Sequence, residues 1–246
     1  MKIGIQLYNF RVDLQKDFRG TLHKIAGLGA DGVEFAGNYG NIPPGELAAY
    51  LEELKLGCAG TMFPPAELLN AASPVWEYAK ALHTPAVTIS LMEDFAQTWP
   101  DAAKRCRQIG DNARQHGLVF SYHNHWAEFA DAGGECALFR ILDACDPETV
   151  FLEPDVCWIT RGGFRVEEVL QRYASRIRQV HLKDIRVPDD PQTMTPLGGG
   201  IVGIENACRA ARQTKCEWLI YEQDHCQGSP FDSAVISLEY LRKIIR

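Results

Sequence analysis

A (β/α)8 barrel, also called a TIM barrel, forming a single α/β domain is the fold this sequence predicts. Three observations lead to it. Short apolar strand-like runs and helical segments alternate strictly along the 246-residue chain. The pair recurs eight times, the number of units that closes a parallel sheet on itself. The first run, "KIGIQLY", leads into "NFRVD" with no glycine-rich phosphate turn, which an open doubly wound sheet would normally carry at that point.

Taken in order, 2–8 is a short apolar strand. The helix after it, about 16–28, places Phe18, Leu22 and Ile25 on one face and ends at Gly29. "DGVEFAG" (31–37) is strand-like again. Pro43 and Pro44 then open a helix to about Leu54, because the fixed φ of proline suits a first helical turn. "LGCAGTM" (56–62) returns to strand and precedes a helix over 65–83. Strand "AVTISLM" (86–92) is followed by helix 100–116, strand "LVFSYHN" (118–124) by helix 134–145, and strand "VFLEPDV" (150–156) by helix 165–176. The last units are strand "RQVHLKD" (178–184) with helix 203–214, and strand "EWLIYEQ" (217–223) with helix 232–245. Only 187–200, "VPDDPQTMTPLGGG", has the composition of a long loop, and its place after a strand marks it as a lid or substrate loop. No linker interrupts the pattern, so one domain is expected over 1–246.

Composition removes several function classes. A net charge of −7 disfavours a nucleic-acid partner, since phosphate backbones want a basic face. No apolar run approaches the ~20 residues that span a bilayer, so no membrane partner is expected. "MKIGIQLYNF" is too short and too soon polar for a secretory leader. The eight cysteines are scattered without a CxxC pair, mostly in apolar contexts, and are expected to be reduced thiols of a cytoplasmic protein.

Chemistry in such a barrel sits where strands end and βα loops begin. Strand two ends near Glu34. Strand five ends in His123, Asn124 and His125, with Glu128 just beyond. Strand six carries Glu153 and Asp155, strand seven His181, Lys183 and Asp184, and strand eight Glu222 and Asp224. In "QVHLKD" the residues Gln179, His181 and Lys183 share one face, and Val180 and Leu182 the other. The apolar pair suits the helix layer, so the polar three should point into the barrel. The same count pairs Glu153 with Asp155, and Glu222 with Asp224.

Each residue alone has an ordinary explanation. A lone histidine is more often hydrogen-bonded than a ligand, Asp155 could cap the loop after it, and Glu34 could pair with a nearby Arg or Lys. Lys183 and Asp184 could form a surface ion pair, which is the expectation for Asp184. Charges inside a barrel are costly unless paired or bound to a cation. Carboxylates and imidazoles converging from four neighbouring strands are most simply neutralised by one divalent metal ion. Such ligands suit Mn, Co, Zn, Ni, Fe or Mg without choosing among them.

"GLVFSYHNHWAEF", "FLEPDVCWITRGG", "VHLKDI" and "WLIYEQD" resemble the xylose isomerase-like TIM barrels, the sugar phosphate isomerase/epimerase family, and the resemblance runs over nearly the whole chain. It implies one divalent metal, most often Mn, with Zn, Co and Mg as alternatives. It implies Asp155, His181 and Glu222 as ligands. At strand five many relatives have a Glu followed by Asn and His, where this chain reads His123-Asn124-His125. Either His123 takes that ligand position or Glu128 reaches back to the metal. Keeping the charge of three carboxylates and one histidine favours Glu128. Relatives often carry a Glu between the glycines of "PLGGGIVGIEN", where this chain has Gly199, so that role is missing or falls to Glu205.

The chemistry expected is isomerisation or epimerisation of a sugar through a metal-stabilised enediolate. Glu222 is the candidate base, His123 the group on the opposite side, and Lys183 a donor to a substrate oxygen. Glu34, His125 and Trp158 are the candidate substrate contacts, with Tyr8 and Phe10 as further aromatic wall. The partner is a small-molecule sugar or sugar derivative, and a homo-oligomer is compatible with the sequence. With no Arg/Lys cluster at the strand ends, an unphosphorylated substrate is expected. Cleavage of an oxidised (keto) glycoside by the same proton abstraction is the nearest alternative, and a sugar-binding barrel without activity is another. Abasic-site endonucleases of the same fold would want more histidines and a basic face.

Overall fold

The computed structural model describes residues 1–245. Eight parallel strands form the barrel: β1 (Lys2–Gln6), β2 (Gly32–Ala36), β3 (Gly57–Met62), β4 (Val87–Ser90), β5 (Phe120–His123), β6 (Val150–Glu153), β7 (Gln179–Leu182) and β8 (Trp218–Tyr221). Their order is β6-β5-β4-β3-β2-β1-β8-β7, with helices packed between successive strands. The barrel is nearly closed. At the remaining seam β6 and β7 meet only through the bridges Leu152–Ile177 and Asp155–His181, helped by the His181 amide donating to Pro154 at 2.9 Å.

The interior is layered, as the alternation in each strand requires. Its floor is a separate apolar cluster of Ala59, Trp218 and Ile220. The Trp218 indole fits because Gly32 lies opposite, where a Cβ would stand 2.8 Å from the ring and collide with the Gly57 carbonyl oxygen. Above the floor the layer turns polar, with Gln6, Glu34, Gln179 and His181 all fully buried. Gly60 leaves room for it, since a Cβ there would collide with Glu34 Oε1 and Gln179 Nε2. The outward set, with Val33, Phe35, Phe120, Tyr122, Val180 and Leu182, joins the main core beneath the helices.

Several expected boundaries shift for local reasons. The first strand stops at Gln6, whose side chain accepts from the Tyr8 amide and starts a 3-10 turn over Leu7–Phe10. The single helix expected over 65–83 is two, Pro65–Leu69 and Val75–Ala81, with Pro74 as the cap of the second. The helix expected at 100 begins earlier, Phe95–Gln115, with Pro100 inside it. The sixth strand ends at Glu153, because Pro154 cannot donate to a ladder and Asp155 caps a new helix, Val156–Arg161. Within 187–200 there is structure: a 3-10 turn Pro191–Thr193, and Met194–Thr195 paired antiparallel to Asp184–Ile185.

Asp184 departs from its expected surface ion pair. It is 2 % exposed. Its Oδ1 accepts from the amides of Ile185 (3.0 Å) and Val202 (3.1 Å), and its Oδ2 from those of Gly198 (2.9 Å) and Gly200 (3.0 Å). The carboxylate therefore holds the glycine-rich segment by its backbone. None of the eight cysteines is bridged. No helix among the described residues is long and apolar enough to cross a membrane.

Candidate active site

Four strand ends bring four side chains together. One donor atom from each of His123, Asp155, His181 and Glu222 lies within 4.8 Å of the others, and all four residues are buried. His123 is the last residue of β5 and His181 an inward residue of β7, while Glu222 follows β8 at the position its alternation turns inward. Asp155 is placed twice over. Asn124 Oδ1 accepts from its backbone amide at 3.2 Å, and its own Oδ1 caps the next helix by accepting from the Cys157 and Trp158 amides at 2.9 and 3.1 Å. The helix cap and the site residue are thus one side chain, which leaves Oδ2 facing His123 Nε2 at 3.8 Å.

Lys183 stands at the centre of the acidic groups. Its Nζ lies 3.2 Å from Asp155 Oδ2, 3.0 Å from Glu222 Oε2 and 3.0 Å from Asp224 Oδ2. Burial opposes its charge, but the three carboxylates outweigh burial and hold the ammonium well above its ordinary pKa. Burial also opposes the charge on Glu222, yet Lys183 and His181 keep its carboxyl well below the usual range. Asp155 is raised by burial and partly restored by Lys183; Asp224 is pushed up to about 6 for the same reasons.

A second group lies beneath the first. His181 Nδ1 meets Glu222 Oε2 at 2.7 Å, while Nε2 meets Glu34 Oε2 at 2.5 Å, and Gln6 Nε2 donates to that same Glu34 oxygen at 2.8 Å. Glu153 Oε2 is 3.6 Å from His181 Nε2 and 3.3 Å from His123 Nδ1. Burial resists charging His181, but Glu153 and Glu34 prevail and raise it well above its ordinary value. Glu153 is driven up by burial and by the Glu34 charge. His123 goes the other way, held neutral by burial and by the charge on His181, and His125 falls to about 4 through burial and Lys183.

These residues fit a divalent cation. His123 Nδ1 and both Glu153 oxygens are buried without a hydrogen-bond partner, and Asp155 Oδ2 has only the Lys183 ammonium at 3.2 Å, whereas native proteins rarely leave such atoms unsatisfied. His123 held neutral and Glu222 held ionised are already in the forms that bind a metal, whereas His181, charged by its carboxylate neighbours, would give up its proton to the incoming ion.

Glu128, expected as a ligand, lies apart from this group. It is fully buried but absent from the group, because its Oε1 accepts from the Tyr122 hydroxyl at 2.8 Å and its Oε2 from the His125 amide at 3.0 Å. Tyr122 alternates to the outer face of β5, so a carboxylate bonded to it sits in the helix layer. His123 is the strand-five residue that lies in the group. Glu34, expected as a substrate contact, does not line the cavity and lies in the buried layer against His181. His125 lies just past the strand, its ring 5.4 Å from that of His123, and Trp158 is 6.0 Å from His125. Phe10, expected in the aromatic wall, packs instead against Phe231 in the core.

Above the cluster opens a cavity of about 380 Å³, with His123, His125, Lys183, Glu222 and Asp224 on its polar side. Tyr8, Met62, Met92, Trp126, Trp158 and Pro191 supply the apolar side. Trp126 and Arg161 carry no strand-end signal in the sequence, yet the Arg161 guanidinium stacks 3.7 Å from the Trp126 ring centre and backs that wall. Glu153 is visible by parity, but its closeness to Glu34 and His181 across the barrel is not.

Comparison with known proteins agrees with this architecture. Inosose dehydratases of Lacticaseibacillus casei (25 % identical over 161 residues, 58 % of this chain and 53 % of the relative) and of a Bacillus cereus strain (33 % over 165 residues, 60 % and 55 %) are similar in sequence. The chain spans about half the length of these curated relatives. Among solved structures, a sugar phosphate isomerase/epimerase from Parabacteroides distasonis superposes with a TM-score of 0.82 at 20 % identity, covering 100 % of both chains. A D-psicose 3-epimerase with D-tagatose from Clostridium cellulolyticum gives 0.76 at 14 %, also covering 100 % of both. The IOLI protein with a zinc atom gives 0.75 at 12 %, covering 100 % of this chain and 98 % of that one. The family model of the xylose isomerase-like TIM barrel matches residues 22–244, and the chain belongs to that family.

Proposed function

We propose that this protein is an enzyme acting on a small keto sugar or keto polyol, removing a proton from the carbon next to the carbonyl with the help of one divalent cation. The observation that carries the reading is the convergence of His123, Asp155, His181 and Glu222 from four strand ends at the floor of a sugar-sized cavity. These four side chains would hold the ion, and the zinc atom bound in the IOLI structure supports a metal in this fold without fixing its identity. When bound, the ion supplies Lewis-acid stabilisation of the negative charge that develops on substrate oxygens.

The remaining work falls to the chain. Glu222, held ionised by Lys183 and His181, is the base that takes the proton. Lys183, whose three N–H donors face Asp155, Glu222 and Asp224, exchanges one of these contacts to donate a hydrogen bond to the substrate oxygen that becomes negative. His125 and the Trp126–Trp158 wall orient the ring and exclude water from one side. With His123 among the ligands, its expected part as the second proton carrier passes to His125. Return of the proton to the neighbouring carbon gives isomerisation, and its return to the opposite face gives epimerisation.

A second reading shares this first step and ends in loss of water or of a glycosidic group. It is favoured by the inosose dehydratase relatives. One experiment tests both. Metal-loaded protein incubated with a panel of keto sugars and keto polyols in heavy water should incorporate deuterium at carbon, and product masses distinguish an isomer from a dehydrated product. Loaded protein that exchanges no carbon-bound proton overturns the proposal.

A further inference from the structure

The loop after β7 carries an electrostatic signature of its own. In barrels of this type a substrate phosphate frequently binds at the loops after strands seven and eight, where glycine amides and a helix N-terminus converge. The segment "PLGGGIVG" lies in that place, ahead of the helix Ile204–Ala211. Its amides at Gly198, Gly200 and Val202 all donate to the two oxygens of Asp184. Gly200 is packed so closely that a Cβ there would collide with Asp184 Oδ1. The anion nest exists, and the chain fills it with its own carboxylate.

Nothing among the described residues lining the cavity replaces it. Among the described residues lining the cavity Lys183 is the one permanent cation, and it is already shared by Asp155, Glu222 and Asp224. Arg11, behind Tyr8, donates to the carbonyl oxygens of Tyr8 and Asp224 at 2.9 and 3.0 Å. Arg161 does not line the cavity; it is stacked behind Trp126, with Asp189 at 3.7 Å and its Nε and Nη1 making no hydrogen bond. Even with a divalent ion present, the three carboxylates around Lys183 leave no surplus positive charge for a dianion.

We propose that the cavity accepts an uncharged, unphosphorylated keto sugar or keto polyol and rejects the phosphate monoester of the same compound. This rests on the sugar reading above, and it selects within that substrate class by charge. Trp126 and Trp158 give the test its signal. Metal-loaded protein is titrated with D-fructose, D-psicose and D-tagatose and with the phosphate monoesters of each, following tryptophan fluorescence and, in parallel, deuterium exchange at carbon. The free sugars should bind, with each ester at least about tenfold weaker, as expected where like charges face each other. An ester that binds as tightly as its parent, or better, overturns the inference, and so does a panel in which no free sugar binds. Exchange on an ester would leave the proposed chemistry standing and sink this inference alone. Selective binding of free sugars without exchange would sink the chemistry and leave the charge selection standing.

Discussion

The two nitrogens of His181 face different carboxylates, Glu222 on the cavity side and Glu34 on the buried side. That arrangement fixes the ring and reserves one nitrogen for the site, the pattern by which an outer carboxylate orients a ligating histidine. At strand five the decisive residue is His123, which reaches the group, whereas Glu128 is tied to Tyr122 and to the His125 amide. His123→Gln is therefore expected to weaken divalent-metal affinity by at least the roughly 10–100-fold that even an outer partner is worth. Glu128→Gln should leave affinity within a few-fold of the parent. Isothermal titration of the metal-free protein with Mn and Zn checks the ranking, and the opposite order would return the ligand role to Glu128. Parity along each strand exposes which residues are polar and inward. It does not expose that the chain turns after His125 and carries Glu128 back to Tyr122 in the outer layer.

Strand alternation is the element that makes the site legible. Gln179, His181 and Lys183 all turn inward on β7 and its end, and Val180 and Leu182 outward, as their polarity requires. The elements that escape are those ended by side chains rather than by composition. Pro154 and the Asp155 cap stop β6 within a run that reads as continuous strand, and this break opens the β6–β7 seam beside the site. The polar layer also depends on β3 approaching closely at Gly60. Gly60→Ala would push a methyl group against Glu34 and Gln179, and overpacking of that kind costs about 1–3 kcal/mol. Urea denaturation should show a lower midpoint together with weaker metal binding, because Glu34 must move. A variant of unchanged stability and affinity would show that the layer is looser than the packing implies.

For the molecule as a whole, Glu128 links stability to pH. Burial raises its carboxyl from 4.5 to about 7, only partly opposed by the hydrogen bonds from Tyr122 and the His125 amide. Between these values the folded chain binds more protons than the unfolded one, so stability falls as pH rises. The contribution is complete below about 4.5 and is lost through about 7, amounting to as much as about 3 kcal/mol. Glu128→Gln keeps the shape without the titration. Its melting temperature should therefore gain on the parent as pH is raised from about 5 to about 8, and a gap that stays constant or narrows would contradict the assignment. The barrel itself follows from the order of residues along the chain, since eight strands with helical crossovers can bury their apolar faces by closing on themselves. The same order delivers the polar residues of strands five to eight to one end. Which of those residues meet is a property of the folded molecule. The contacts of Glu34 with His181, of Glu128 with Tyr122 and of Asp184 with the glycine amides depend on how the chain turns after each strand and on which strand lies opposite. Those distances are set by packing across the barrel, and no local pattern in the chain encodes them.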